Sequence, residues 1–216
     1  MKVKICGIRT EHDLNVTINS GADAVGFITD VPVDSPRKIT LAEASRLILK
    51  VPVFVTSVLV IMPENAQQAV RMIQAARPVA VQIHNGLPLS ELVKIRKTGV
   101  KLIKTIQVYR NAQADILLKQ IKELFGVADA VLLDTALDGK TGGTGVLHNW
   151  EVSSKVVLNT GIPVILAGGL KPENVREAVR YVRPYAVDTA SGVETGGKKD
   201  EKKVMDFMNN ARMYEI

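Results

Sequence analysis

Val3-Lys4-Ile5-Cys6-Gly7-Ile8-Arg9-Thr10 reads as a short strand, a glycine turn and a helix start. Cys6, the single cysteine among 216 residues, stands where that strand stops. Helical spacing follows over residues 11–19 and halts at Ser20-Gly21, a C-cap signal. The same strand-then-helix phrase recurs along the chain. Apolar, β-branched runs fall at residues 3–6, 24–28, 53–61, 79–83, 102–106, 130–133, 164–167 and 186–189. They are nearly continuous in hydrophobicity, as parallel strands covered on both faces must be.

Helical spacing fills the intervals, over residues 41–50, 64–76, 90–97, 112–125, 150–158, 173–181 and 201–214. Thr40 with Glu43 makes a capping-box pattern, and Pro63 and Pro172 stand at first-turn positions. Eight right-handed βα units close into a (β/α)₈ TIM barrel. An open doubly wound sheet usually has fewer units and a glycine-rich fingerprint after its first strand, and Cys-Gly-Ile-Arg is not one. No linker or shift in composition divides the chain, so a single domain over residues 1–216 is expected.

Bulk composition narrows the function. At 46% hydrophobic and 23% charged, the chain can bury a full core. One cysteine excludes an internal disulfide and suits a reducing compartment. Arg9, Glu11, His12 and Asp13 interrupt any signal-peptide core, and no apolar run reaches membrane length. A cytoplasmic protein with no membrane partner is expected. The net charge is +6, but aromatic residues are only 4%, too sparse for base-stacking platforms. The basic balance therefore points to a small anionic substrate and not to nucleic acid. The run Lys198, Lys199, Lys202 and Lys203 carries Asp200 and Glu201 inside it and reads as a solvated helix start.

In such barrels the chemistry collects at the C-terminal ends of the strands. Those ends carry Cys6, His84, Asp134, Ala167-Gly168-Gly169 and Ala190-Ser191-Gly192. Glycine turns let main-chain amides approach an anion, and the loops after strands seven and eight are a frequent phosphate site in barrels. Gly168, Gly169, Ser191 and Gly192 are thus the candidate phosphate cradle; plain strand-ending turns are the alternative. A third cluster, Gly142-Gly143-Thr144-Gly145, lies in a long stretch after strand six, a binding loop or a simple connector. Cys6 and Asp134 are the candidate base and acid. A thiolate takes a proton from carbon, and a buried carboxyl with a raised pKa gives one. A buried apolar thiol and a helix-capping aspartate are the plainer readings.

These residues together resemble the phosphoribosylanthranilate isomerases of tryptophan biosynthesis. The likeness spans nearly the whole chain. It rests on Lys4-Ile5-Cys6-Gly7-Ile8, Gly21-Ala22-Asp23 with Gly26-Phe27, Ser35-Pro36-Arg37, Val81-Gln82-Ile83-His84, Leu132-Leu133-Asp134, Leu166-Ala167-Gly168-Gly169-Leu170 and Val187-Asp188-Thr189-Ala190-Ser191-Gly192-Val193-Glu194. The resemblance implies an Amadori rearrangement of a phosphorylated small molecule, with no metal and no organic cofactor. It implies Asp134 as general acid at the ring oxygen and Cys6 as general base at C2′. It implies Arg37 as holder of the anthranilate moiety, where a guanidinium serves carboxylate and ring face together. It implies Asp188 and His84 as further pocket residues.

Two features depart from the family pattern. Asn85 follows His84 where glycine is usual, and the acidic stretch Thr29–Asp34 is long, with Asp30 and Asp34 placed to shield or gate Arg37. The rivals are the histidine-pathway isomerase, indole-3-glycerol-phosphate synthase and a non-catalytic anion-binding barrel. The first resembles a two-fold repeat with a phosphate site in each half, and the second needs a first-strand lysine base pattern that is missing here. The residues leave monomer and homodimer both open.

Overall fold

A computed structural model describes residues 1–137, 140–141 and 149–213. The strands β1 (Lys2–Cys6), β2 (Ala24–Thr29), β3 (Thr56–Ile61), β4 (Ala80–Ile83), β5 (Lys101–Val108), β6 (Ala130–Leu137), β7 (Val164–Leu166) and β8 (Ala186–Thr189) each pair in parallel with the next. β1 pairs with β8 as well, through Lys2↔Ala186 to Ile5↔Thr189, and this closes the sheet into the expected barrel. The helices α1 (Glu11–Asn19), α2 (Leu41–Ile48), α3 (Ala66–Ala76), α4 (Leu89–Arg96), α5 (Ala114–Lys122), α6 (Trp150–Asn159), α7 (Pro172–Val182) and α8 (Glu201–Arg212) follow the strands in turn.

Side chains alternate along each strand with period two, so the barrel has two cores. Outward residues such as Ile5, Val25, Leu59, Val81 and Leu133 pack with the helices. Inward residues such as Val58, Val60, Ala80, Ile103, Leu132 and Ile165 fill the centre. Cys6 belongs to the inward set. Asp134 shares the parity of Ala130 and Leu132, and Asp188 that of Ala186, so each acid ends an inward row.

The caps explain where several helices begin and end. Thr40 and Glu43 form the expected capping box, and Ser20 caps α1 with Gly21 at φ 87° beside it. Pro172 occupies the first turn of α7 as expected. Pro63 does not do so for α3: Asn65 is the N-cap, accepting from Gln68 N, and Pro63 lies upstream, where its carbonyl takes the Asn85 amide at 2.8 Å. The third strand was expected from residue 53, but Val53 and Phe54 are 88% and 95% exposed, and β3 begins at Thr56. Hydrophobicity there reports an exposed turn before the strand, which a window of apolar residues cannot separate from the strand itself.

The run at residues 198–203 is a helix start only in its second half, where Asp200 caps α8 and Lys202 is exposed. Lys198 and Lys199 form a short antiparallel strand with Glu194 and Thr195, and Lys199 is buried. The Gly142-Gly143-Thr144-Gly145 cluster and Tyr214, the expected end of the last helix, lie outside the described residues. Among the described residues no helix is long and apolar enough to cross a membrane.

Candidate active site

A cavity of about 600 Å³ opens at the C-terminal mouth of the barrel. Its walls bring together the candidate residues from six separate places in the sequence: Cys6, Arg37, His84, Asp134, Asp188 and the glycine turns at Gly168-Gly169 and Ser191. Gly192 lies just behind Ser191 in a 3₁₀ turn spanning Ser191–Val193.

Cys6 is 6% exposed, and burial pushes its thiol pKa above the ordinary value despite the nearby ammonium of Lys4, with Lys199 a further cation. Gly26 is its register partner on β2. A Cβ at Gly26 would stand 2.7 Å from the Cys6 Sγ, so glycine is what leaves room for the sulfur. Gly26→Ala is therefore expected to push the thiol out of line. The steric clash should cost about 1–3 kcal/mol of stability and lower kcat about tenfold or more, since an ångström of misplacement is that expensive. Thermal melts and steady-state kinetics read the two effects; wild-type kcat in this variant would show that the sulfur's position is not critical.

Asp134 is buried at the end of the inward row of β6. Burial first, then the carboxylate of Asp188, raise its pKa to about 7. It is thus able to hold a proton near neutrality, as a general acid must. His84 Nε2 lies 3.7 Å from Asp134 Oδ2. Burial and the cations Lys104 and Lys4 bring its pKa down to about 4, so the imidazole is neutral and the contact is not an ion pair. Lys104 itself is pulled down to about 8 by burial; its Nζ donates to the Asn85 and Thr105 carbonyls at 2.9 and 2.6 Å.

Sequence reasoning passed over Lys4. It lies on β1 two residues before Cys6, on the same inward face, and its Nζ donates to Asp188 Oδ1 at 2.9 Å. Burial works against its charge, but Asp188 and the thiol override this and hold its pKa above the usual range. Lys4 also acts on Cys6, Asp134 and His84 as a positive charge. A lysine in phase with the candidate thiol, inside an otherwise apolar strand, was the available signal: charges are not buried without a partner.

Arg37 reaches the cavity from the loop between β2 and α2. Its stem lies across Gly7, where φ is 77° and a Cβ would fall 2.6 Å from Arg37 Cδ. The carboxylate that holds it is neither Asp30 nor Asp34, the two expected to gate it. Arg37 Nε donates to Glu194 Oε1 and Oε2 at 2.9 and 3.1 Å, and Nη2 to Oε2 at 2.7 Å, a bidentate fork. Asp30 instead accepts from Gln68 Nε2 at 3.0 Å, while Asp34 lines the cavity. Proximity in sequence was the wrong guide, because the loop after β8 crosses to the β1 side when the barrel closes.

Gly168 and Gly169 have φ of 86° and 68°. A Cβ at Gly168 would fall 2.1 Å from Thr135 Oγ1, and one at Gly192 2.0 Å from the Leu170 carbonyl. Gly168 therefore lies against the end of β6, and the loop after β8 lies against the loop after β7 where Gly192 meets Leu170; only glycine permits either approach. Among the described residues no three His, Cys, Asp or Glu side chains are grouped to hold a metal ion.

Fold and site together define a (β/α)₈ barrel with an acid and a thiol at one mouth and glycine turns on its seventh and eighth strands. Residues 3–210 match the family model for N-(5′-phosphoribosyl)anthranilate isomerase. The chain belongs to that family. The N-(5′-phosphoribosyl)anthranilate isomerase of Methanosarcina acetivorans is 52% identical over 98% of this chain and 93% of its own. The Methanocella arvoryzae enzyme of the same name is 44% identical over 98% of both. The crystal structure of the Thermotoga maritima isomerase superposes with a TM-score of 0.84 at 34% identity, covering 98% of each chain. Another solved isomerase, 32% identical with a TM-score of 0.79 and 98% of each chain covered, is in complex with reduced 1-(o-carboxyphenylamino)-1-deoxyribulose 5-phosphate.

Proposed function

We propose that this chain, as a single domain over residues 1–216, catalyses the Amadori rearrangement of N-(5′-phosphoribosyl)anthranilate to 1-(2-carboxyphenylamino)-1-deoxyribulose 5-phosphate. The setting is tryptophan biosynthesis in the cytoplasm, and the assembly is a monomer or homodimer. The observation that carries this reading is that a buried thiol and a carboxyl able to hold its proton near neutrality line one cavity.

Asp134 gives its proton to the furanose ring oxygen. The C1′–O bond breaks as the anilino nitrogen lone pair forms the Schiff base, leaving Asp134 ionised. The Cys6 thiolate takes the C2′ proton, and the electrons pass to nitrogen to make the enolamine. Tautomerisation moves the hydroxyl proton of that enol to C1′ and leaves the ketone. A proton passing from the thiol to solvent and from solvent to Asp134 resets the pair. The loops bearing Gly168, Gly169, Ser191 and Gly192 hold the phosphate through main-chain amides. Arg37 holds the anthranilate carboxylate and ring, and Asp188, held by Lys4, and neutral His84 complete the pocket wall.

The productive form needs Asp134 protonated and Cys6 ionised. The proton on Asp134 is lost as pH rises through about 7, while the thiolate gains only above the ordinary thiol value. The product of those populations peaks between the two, so kcat/KM is expected to trace a bell with one limb near 7 and the other alkaline, both belonging to the coupled pair. Turnover of freshly generated phosphoribosylanthranilate, followed by its loss of fluorescence, tests the reading directly. A protein that binds the substrate without consuming it would be the non-catalytic anion-binding barrel instead.

A further inference from the structure

Glu194 and Lys199 lie outside the acid–base pair, yet they stand between it and Arg37. Gly196 and Gly197, with φ of 57° and 74°, form a two-residue turn with both central residues left-handed, the geometry of a tight hairpin. That turn sets Glu194 opposite Lys199. The hairpin is fastened to the start of α1, where Lys199 N donates to Asp13 Oδ1 at 3.1 Å.

The Lys199 side chain is 1% exposed and its ammonium uses three acceptors. Nζ donates to the Cys6 carbonyl at 2.7 Å, the Ala190 carbonyl at 2.9 Å and Glu194 Oε1 at 2.8 Å. An ammonium has three N–H donors, so this tripod is complete. It joins the end of β1, the loop after β8 and the hairpin at one point. Glu194 in turn grips Arg37 through the bidentate fork. Burial works against the charge of Glu194, but Arg37 and Lys199 outweigh it and hold the carboxyl below its usual range.

We propose that Glu194 and Lys199 are a positioning pair: Lys199 anchors the Cys6 end of β1 and seats Glu194, which aims the Arg37 guanidinium at the aromatic end of the substrate. The pair touches no reacting atom. It sets the distance between the thiol and the group that holds the ring, and so it acts on both kcat and KM. The inference rests on the reading of Arg37 given above, and the experiment separates the two.

Binding of reduced 1-(o-carboxyphenylamino)-1-deoxyribulose 5-phosphate and of ribulose 5-phosphate, which lacks the ring, is measured by calorimetry. Glu194→Gln is expected to weaken the first about tenfold or more and leave the second within twofold. In an Arg37→Ala background Glu194→Gln should add nothing, because groups acting as a unit are not additive. Additive losses, or equal weakening of both ligands, overturn the positioning role. If Arg37→Ala alone binds the analogue as the wild type does, the reading of Arg37 falls and takes this inference with it. Lys199→Met should reproduce the Glu194→Gln loss and also change the rate of Cys6 alkylation by iodoacetamide, which Glu194→Gln leaves unaltered. A folded Lys199→Met protein with the wild-type alkylation rate overturns the anchoring of Cys6. Should Lys199→Met not fold, the Glu194 and Arg37 cycle decides the proposal.

Discussion

Asp134→Asn is expected to remove nearly all turnover while making the barrel more stable above pH 7. The two effects have one cause. Burial and the carboxylate of Asp188 lift the pKa of Asp134 from the ordinary 3.8 to about 7. The folded protein therefore binds a proton that the unfolded chain has already released. Stability associated with this group is fully present below the unfolded value, declines as pH rises through about 7, and is absent above it. Three pKa units correspond to a penalty on the order of 4 kcal/mol for ionising the group in place. Asparagine keeps the shape and does not ionise, so the melting temperature of the variant should exceed that of the wild type at pH 8 and match it at pH 4. Asparagine also has no acidic proton to give the ring oxygen, and loss of a general acid lowers kcat about 10²- to 10⁴-fold. Thermal melts and kinetics across pH check both arms. Retained turnover would place the acid elsewhere, and identical melts at pH 8 would mean that Asp134 is not strained by its burial.

Cys6→Ser is the second large effect. A hydroxyl is a far weaker base precursor than a thiol at neutral pH, even a thiol whose pKa burial has raised. Serine is also smaller and fits the space that Gly26 leaves, so the fold should survive. We expect kcat to fall about 10²- to 10⁴-fold, the usual contribution of a general base. KM should change little, because the proton is taken only in the transition state. That loss is about 3–5 kcal/mol of barrier. Phosphoribosylanthranilate turnover over long incubations measures it; a kcat within tenfold of the wild type would remove Cys6 from the chemistry.

Much of this site was legible from the chain. Cys6, His84 and Asp134 stand out as the polar residues that end apolar runs, Asp188 follows from the family resemblance, and the barrel puts all strand ends on one mouth. What escaped was polar chemistry disguised by its neighbours. Lys4 reads as one charge in a short strand, although its phase with Cys6 places it inside the barrel beside Asp188. Lys199 reads as one of a run of surface lysines, but the two-glycine hairpin folds it inward onto three acceptors. Asp30 and Asp34 read as a shield or gate for Arg37 because they precede it closely. Glu194, 157 residues away, holds it instead.

The order of apolar runs and helical spacers by itself determined the number of βα units, their parallel sense and hence the closed barrel, because each run must be covered on both faces. The ends of those runs by themselves also put the thiol and the acid at one mouth of the barrel. Only the tertiary structure decided which charges neutralise one another. Closing β1 against β8 brings the two ends of the chain side by side, and a buried charge takes the partner nearest in space, wherever that partner lies in the sequence.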